Sequence, residues 1–100
     1  MTTTEGTKYV NDIRTRAHAA TNSRYTLDEL CDEWSREFYF EGRRRTDLVR
    51  FGKYGGNTNY TWQWKGGVKE GINFSSTKNI YAIPTDEIIQ NSNLVQNPGY

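Results

Sequence analysis

Two carboxylates in the middle of the chain, Glu37 and Glu41, have the spacing of a possible acid and base pair. Residues four positions apart lie one turn apart on the same face of a helix, and two carboxyl groups so placed can approach the separation used in glycoside hydrolysis. Five arginines lie within residues 36–50, however, and nearby guanidinium groups favour the ionised form of a carboxyl group. The pair would then lack a proton donor at neutral pH. We therefore expect no catalytic residue and no enzyme activity.

The same segment suits a structural network of ion pairs. Glu41 follows Phe38 by three residues, which would place its carboxylate on the apolar side of a helix, where it needs a cation. Arg44 and Arg45, about one turn further along, are expected to hold it. Such a network orients a segment more than it stabilises it. Its predicted members are Arg36, Glu37, Glu41, Arg44, Arg45, Asp47 and Arg50.

An aromatic alternation further along the chain offers a different chemistry, the stacking of sugars. Tyr60, Trp62 and Trp64 would share one face of an extended segment, and exposed aromatic rings can stack against the apolar faces of sugars. The alternative, which we expect for at least one of the two tryptophans, is that these rings pack over a neighbouring helix and complete a small core. The glycan-binding candidates are these three residues.

Metal and cofactor chemistry has no support in the sequence. His18 is the single histidine and Cys31 the single cysteine, too few ligands for a metal site. His18 is expected in the last turn of a helix, and Cys31 is expected to be a buried structural thiol. The glycine pairs at 55–56 and 66–67 lack the lysine, serine and following helix of a phosphate-binding loop. We expect no metal and no cofactor.

Composition limits the remaining classes of function. A chain of 100 residues is enough for one domain, and its 14% aromatic content indicates an ordered polypeptide despite a hydrophobic content of 34%. The net charge is only +1, and the basic triplet Arg43–Arg45 is interleaved with acids, as in a salt-bridged face. We expect no nucleic-acid partner. No transmembrane or signal segment is apparent, so membrane contact would need a lipid anchor that is absent from this chain.

The periodicity predicts a mainly α protein of short helices with a loop-rich middle. Apolar residues recur at helical spacing over 8–20, 27–41 and 43–51, and a short helix is predicted at 85–90. Residues 53–82 carry many glycines and asparagines and show no helical period. The alternation at 60–64 suits a strand or an extended loop.

Two helix starts carry capping patterns. Thr26 and Glu29 have the spacing of a capping box, in which a hydroxyl and a carboxylate each bind a backbone N–H at the start of a helix. Thr85 is predicted to be the N-cap of the last helix.

Three motifs occur in order along the chain and together span nearly all of residues 1–100. They are Tyr9–Ala17, then Arg36–Gly42 followed by Arg44, Asp47, Leu48 and Arg50, and finally Ile83–Pro84 with Glu87, Ile88, Asn91, Leu94 and Gln96–Tyr100. The combination is specific, although the final Asn-Pro-Gly-Tyr would be a weak signal alone. In these motifs the chain resembles the C-terminal portion of the SusD/RagB-like family of outer-membrane nutrient-binding lipoproteins.

The resemblance implies a tetratricopeptide-related helical fold, of which residues 1–100 would form a single C-terminal segment, and we expect a fragment of a longer protein. It also implies a non-catalytic protein on the surface of Bacteroidetes-like bacteria that binds glycans and works with a SusC-like TonB-dependent transporter. Its partners would be that transporter and oligosaccharide, at the outer membrane. The alternative is a small stand-alone intracellular protein-interaction module.

Overall fold

The computed structural model describes residues 1–56 and 58–100, and the regular structure within them is helical. These residues contain no strand, and one isolated bridge pairs Gly55 with Phe74. The predicted mainly α class with a loop-rich middle is confirmed. The elements are α1 (Thr4–Arg16), α2 (Leu27–Glu37), α3 (Arg44–Arg50) and α4 (Thr85–Gln90), with 3₁₀ turns at Lys65–Gly67 and Ser76–Asn79.

The chain divides into two compact units, residues 1–44 and residues 45–100. The first contains α1 and α2, and the second contains most of α3, both 3₁₀ turns and α4. The single C-terminal segment expected from the sequence stays a prediction.

Helix α1 begins and ends earlier than the predicted range 8–20. Its N-cap is Thr3, whose hydroxyl accepts a hydrogen bond from the Gly6 N–H at 3.0 Å. Beyond its end, His18 has a φ of 54°, a left-handed conformation that cannot continue a right-handed helix. The prediction that His18 occupies the last helical turn is therefore wrong.

Helix α2 is also shorter than the predicted range 27–41, because the backbone turns directly after it. Phe38 is the C-cap, and Phe40 follows with a left-handed φ of 64°. Gly42 has a φ of 71°, so a second turn precedes α3. The aromatic end of the predicted helix thus lies outside it, and the Phe40 side chain is 90% exposed.

The two capping predictions have different outcomes. The capping box is confirmed, because the Thr26 hydroxyl accepts from the Glu29 N–H at 3.2 Å and the Glu29 carboxylate accepts from the Thr26 N–H at 2.7 Å. Helix α4 has the predicted range, but its N-cap is Pro84. Thr85 is instead the first helical residue, so its predicted capping role is wrong.

Tyr25 connects the segment before α2 to helix α1. Its hydroxyl donates to the Asn11 side-chain oxygen at 2.6 Å, and its carbonyl accepts from the Thr2 N–H at 2.8 Å. Tyr25, Val10 and Cys31 are the buried apolar side chains of this unit. With so few of them, side-chain hydrogen bonds must contribute much of the specific packing of residues 1–44.

We expect Thr26→Ala to lower the free energy of unfolding by about 1 kcal/mol, because the start of α2 loses its cap. Urea unfolding would measure the change. The exposed helical residue Thr15 offers a control, since Thr15→Ala removes the same atoms without removing a cap and should cost nothing. An equal loss in both variants would contradict the capping role.

The same box predicts a pH dependence. The pKa of Glu29 is lowered, first by the hydrogen bond from the Thr26 N–H and then by the Thr26 hydroxyl. A carboxylate with a lowered folded pKa contributes stability that is present above its unfolded pKa and lost as the pH falls through the folded value. The stability advantage of the wild type over Glu29→Gln should therefore shrink with acidification below 4.5, the ordinary value.

Candidate functional site

The three candidate sugar-binding rings lie on one loop of the unit 45–100. Trp62 is 39% exposed and Trp64 is 65% exposed, whereas Tyr60 is half-buried. The rings of Tyr60 and Trp62 meet edge to face with their centroids 6.2 Å apart. The structure thus brings these two rings together and leaves both tryptophans accessible.

Trp64 departs from the predicted arrangement. Its φ is 66°, so the backbone turns at this residue and the extended alternation does not continue through it. Within the described part of the chain, its ring contacts neither Tyr60 nor Trp62. The predicted shared face is therefore limited to Tyr60 and Trp62, with Trp64 as a separate exposed ring on the same loop.

Lys65 lies beneath this loop and is the most deeply buried large side chain of its unit, with 1% of its surface exposed. Its ammonium nitrogen lies 4.7 Å from the centroid of the Trp62 ring and 5.2 Å from that of Phe74. It donates to the Tyr60 carbonyl oxygen at 3.4 Å. Burial lowers the pKa of Lys65, because desolvation disfavours the charged form. The lysine therefore fixes Trp62 from one side by a cation–π contact.

Glycine is required where this loop closes on itself. The Gly71 N–H donates to the Val68 carbonyl at 2.8 Å, and Gly71 has a φ of 75°. A Cβ atom at this position would collide with the Trp62 carbonyl oxygen. Only glycine permits this approach, which fixes the backbone on which Trp62 stands.

Two lysines next to the rings were missed by the sequence analysis. Lys65 directly follows Trp64, and its place in the aromatic run could have drawn attention to it. The Lys53 ammonium lies 4.4 Å from the centroid of the Tyr60 ring, but the described residues between them form no helix or strand and no spacing pattern indicated the contact. Lys65 is too deeply buried to reach a ligand, whereas the Lys53 ammonium and the exposed amide of Gln63 supply hydrogen-bonding partners beside apolar ring faces. This combination suits a neutral, hydroxyl-rich ligand.

The predicted ion-pair network is only partly formed among its own members. Asp47, which is buried, binds Arg50 at 3.2 Å, and both are predicted members. Glu37 instead binds Arg16 of α1 at 2.6 Å, and Arg36 pairs with Glu33 at 2.7 Å. The Glu37 pair therefore connects α2 to α1 within the first unit, while the Asp47 pair lies within the second.

Glu41 is placed differently from the sequence expectation, in which Arg44 and Arg45 hold it. It is exposed, and neither guanidinium group pairs with it in the described residues. Arg44 donates to the Cys31 carbonyl oxygen at 2.7 Å and lies 4.0 Å from Asp32. Because α2 ends at Glu37, Glu41 is not on the face that the helical spacing indicated.

The most enclosed ion pair, between Arg14 and Glu33, was not predicted. The two side chains retain 19% and 13% of their exposure and approach to 2.5 Å. Arg14 also donates to the Ala20 carbonyl oxygen at 2.5 Å, so it holds together α1, the following turn and α2. Its partners are distant in sequence, and a pattern of local spacing therefore could not identify them.

Residues 1–56 and 58–100 hold no group of three histidine, cysteine or acidic side chains placed to bind a metal ion. In the same ranges, no helix has both the length and the apolar character needed to cross a membrane.

Comparison with known proteins gives two results. Residues 2–100 match the family described as the SusD family. Over 97 residues the chain is 47% identical to the starch-binding protein SusD of Bacteroides thetaiotaomicron. The match covers 96% of this chain and 17% of that relative, so the chain spans about a sixth of the length of the relative.

We expect Glu33→Ala to lower the free energy of unfolding by about 3 kcal/mol, because it leaves the enclosed Arg14 guanidinium without its carboxylate. Glu41→Ala is the matched control and should change stability by less than about 0.5 kcal/mol, since Glu41 is exposed. Chemical denaturation of both variants measures the difference. Equal effects would contradict the assignment of the ion pairs.

We also expect the stability of the wild type relative to Lys65→Met to rise with pH. A base whose folded pKa is lowered binds fewer protons in the folded state, so stability increases between that lowered pKa and the ordinary value of 10.5. Denaturation at a series of pH values would measure this slope. Lys69→Met removes an exposed lysine and should show no comparable slope; the same slope in both comparisons would count against the buried charge.

Proposed function

The chain belongs to the SusD family, and from that premise we propose that it is part of a non-catalytic glycan-binding protein of an outer-membrane nutrient-uptake system. The chain supplies the C-terminal structural portion of that protein. Its ligand is an oligosaccharide, and starch-type α-glucan is the first candidate. The observation that carries the proposal is the 47% identity to a starch-binding protein over 96% of this chain.

The exposed tryptophans support a direct contact with sugar within these residues. Trp62 and Trp64 present ring surface to solvent, where burial by a ligand is favourable. Pyranose rings have apolar C–H faces that suit such surfaces, while their hydroxyl groups need polar neighbours. Gln63 stands between the two tryptophans and is exposed. We assign Trp62 and Trp64 as the stacking residues and Tyr60 as the ring that positions Trp62 from its edge.

The accessible rings favour sugar contact over the core interpretation expected from the sequence for at least one tryptophan. A tryptophan that completes a core would be largely buried, and its truncation typically costs about 3–5 kcal/mol. Trp64 retains 65% of its exposure. Truncation at this position should therefore cost the described fold little.

Family membership supports a proposal for the partner and the location. The protein works at the cell surface, on the outer membrane, beside a SusC-like TonB-dependent transporter to which it delivers oligosaccharide. Its membrane contact is through a lipid anchor. Family membership favours this system over the small intracellular interaction module. Co-purification of the transporter from detergent-solubilised outer membranes would support the pairing, and its consistent absence from such preparations would count against it.

The glycan proposal predicts that maltoheptaose shifts the tryptophan fluorescence of the chain. Trp62→Ala and Trp64→Ala should each weaken binding by about 1–3 kcal/mol, the range found for stacking on an aromatic side chain. The melting temperature should stay close to that of the wild type in Trp64→Ala, whose ring is 65% exposed, whereas Trp62→Ala also removes a ring face from the buried Lys65 ammonium. Fluorescence titration and thermal melting of the same samples measure both quantities.

Tyr39→Ala is the matched control, because Tyr39 is an exposed aromatic residue of the other unit, and its loss should leave binding unchanged. Cellohexaose, a β-linked glucan, tests whether α-glucan is preferred. If maltoheptaose affinity is the same in the wild type and both tryptophan variants, these rings are not the site. If binding is absent throughout, the glycan assignment for these residues fails.

A further inference from the structure

The unit 45–100 also contains a cleft beside Arg45, which we call the Arg45 cleft. Its chemical character differs from that of the loop that carries Trp62 and Trp64, which we call the tryptophan loop. The volume of the Arg45 cleft is about 260 Å³, below the roughly 300–1,000 Å³ of pockets for drug-sized ligands, so it suits a single ring. Two cations and four aromatic rings line it: Arg45, Tyr54, Phe74, Lys78, Tyr81 and Tyr100.

Both cations lie against ring faces. The Arg45 guanidinium carbon lies 3.7 Å from the centroid of the Tyr81 ring and 4.9 Å from that of Tyr54. The Lys78 ammonium lies 3.9 Å from the centroid of the Tyr100 ring. Contacts with two tyrosine rings thus restrict the orientation of the Arg45 guanidinium group and the directions of its remaining donors.

Neither cation is neutralised by a carboxylate. Within residues 1–56 and 58–100, neither Arg45 nor Lys78 forms an ion pair. Arg45 donates from Nη2 to the Lys78 carbonyl oxygen at 2.7 Å, and its Nε and Nη1 groups find no acceptor in the same ranges. Both residues are half-buried. Two such charges facing one cleft favour an anionic ligand.

The end of the chain forms one wall of this cleft. The Tyr100 hydroxyl donates to the Ile80 carbonyl oxygen at 2.9 Å, and the Asn97 side chain donates to the Tyr81 carbonyl oxygen at 2.7 Å. Gly99 has a φ of 90°, and a Cβ there would lie 2.5 Å from the Thr77 hydroxyl oxygen. The Asn-Pro-Gly-Tyr ending, which the proposed function does not use, therefore fixes the Tyr100 ring in place.

We propose that this cleft binds a carboxylated sugar, a uronic acid unit of an oligosaccharide. The carboxylate is bound by the free donors of Arg45 and by Lys78, and the tyrosine rings contact the apolar faces of the pyranose. The choice of a sugar rests on the proposed glycan-binding function. The choice of an acidic sugar rests on the two cations, which contact backbone carbonyl oxygens and ring faces, Lys78 donating to the Gly99 carbonyl at 3.5 Å, but form no ion pair with a carboxylate in the described residues. The site is separate from the tryptophan loop in its residues and in its charge.

The test is a calorimetric titration of the 100-residue chain with trigalacturonate, a probe made of uronic acid units. Maltotriose, a neutral sugar of the same length, and acetate, the anion alone, are the comparison ligands. We expect trigalacturonate to bind at least about tenfold more tightly than either, because only it offers both the ring and the charge. Arg45→Gln should weaken its binding by about tenfold or more.

Tyr81→Ala provides a second variant in which folding is not at risk, since this side chain is 70% exposed, and it should also weaken trigalacturonate binding. Lys69→Gln removes a comparable exposed charge outside the cleft and should not. Trigalacturonate affinity equal to that of maltotriose or acetate, or unchanged by both cleft variants, would overturn the inference. Arg45→Gln also separates the two proposals, because it should weaken trigalacturonate binding while leaving maltoheptaose binding unchanged, Arg45 being no part of the loop that carries Trp62 and Trp64.

Discussion

Burial of the Lys65 ammonium constrains the arrangement of the rings in the unit 45–100. An ammonium group removed from water needs compensation, and here it receives one long hydrogen bond and two aromatic faces. Those faces belong to Trp62 and Phe74, and Phe74 in turn contacts the Tyr54 ring with centroids 5.3 Å apart. One buried cation thus connects the tryptophan loop to the wall of the Arg45 cleft.

The first unit uses the opposite arrangement, in which charge is compensated by charge. Arg14 and Glu33 face each other where little water reaches them, and the pair joins helices that share few buried apolar side chains. An enclosed pair contributes little net stability but penalises every arrangement that separates it. In residues 1–44, the ion pairs therefore define the mutual placement of α1 and α2 more than they stabilise it.

The sequence predicts what depends on neighbours along the chain. The capping box at Thr26 and Glu29 and the range of α4 follow from local spacing, and both agree with the structure. The early ends of α1 and α2 could not be predicted, because His18 and Phe40 adopt left-handed backbone that residue type does not indicate. The wrong position predicted for Glu41 follows from the early end of α2. Because that helix ends at Glu37, a helical face cannot be assigned to the residues that come after it.

The candidate sites show the same division between local and distant information. The sequence alone identifies the aromatic alternation that contains Trp62, because its members lie close together along the chain. The Arg45 cleft combines residues from α3, the loops and the final Tyr100, whose common location depends on the path of a chain with little regular structure. Long-range placement in such a chain is decided by individual contacts, such as the hydrogen bond from Asn97 to the Tyr81 carbonyl, which have no periodic pattern in the sequence. The sequence motif that ends at Tyr100 is recognisable from the family resemblance. Its position at one side of the Arg45 cleft, next to charged and aromatic side chains, follows only from the folded structure.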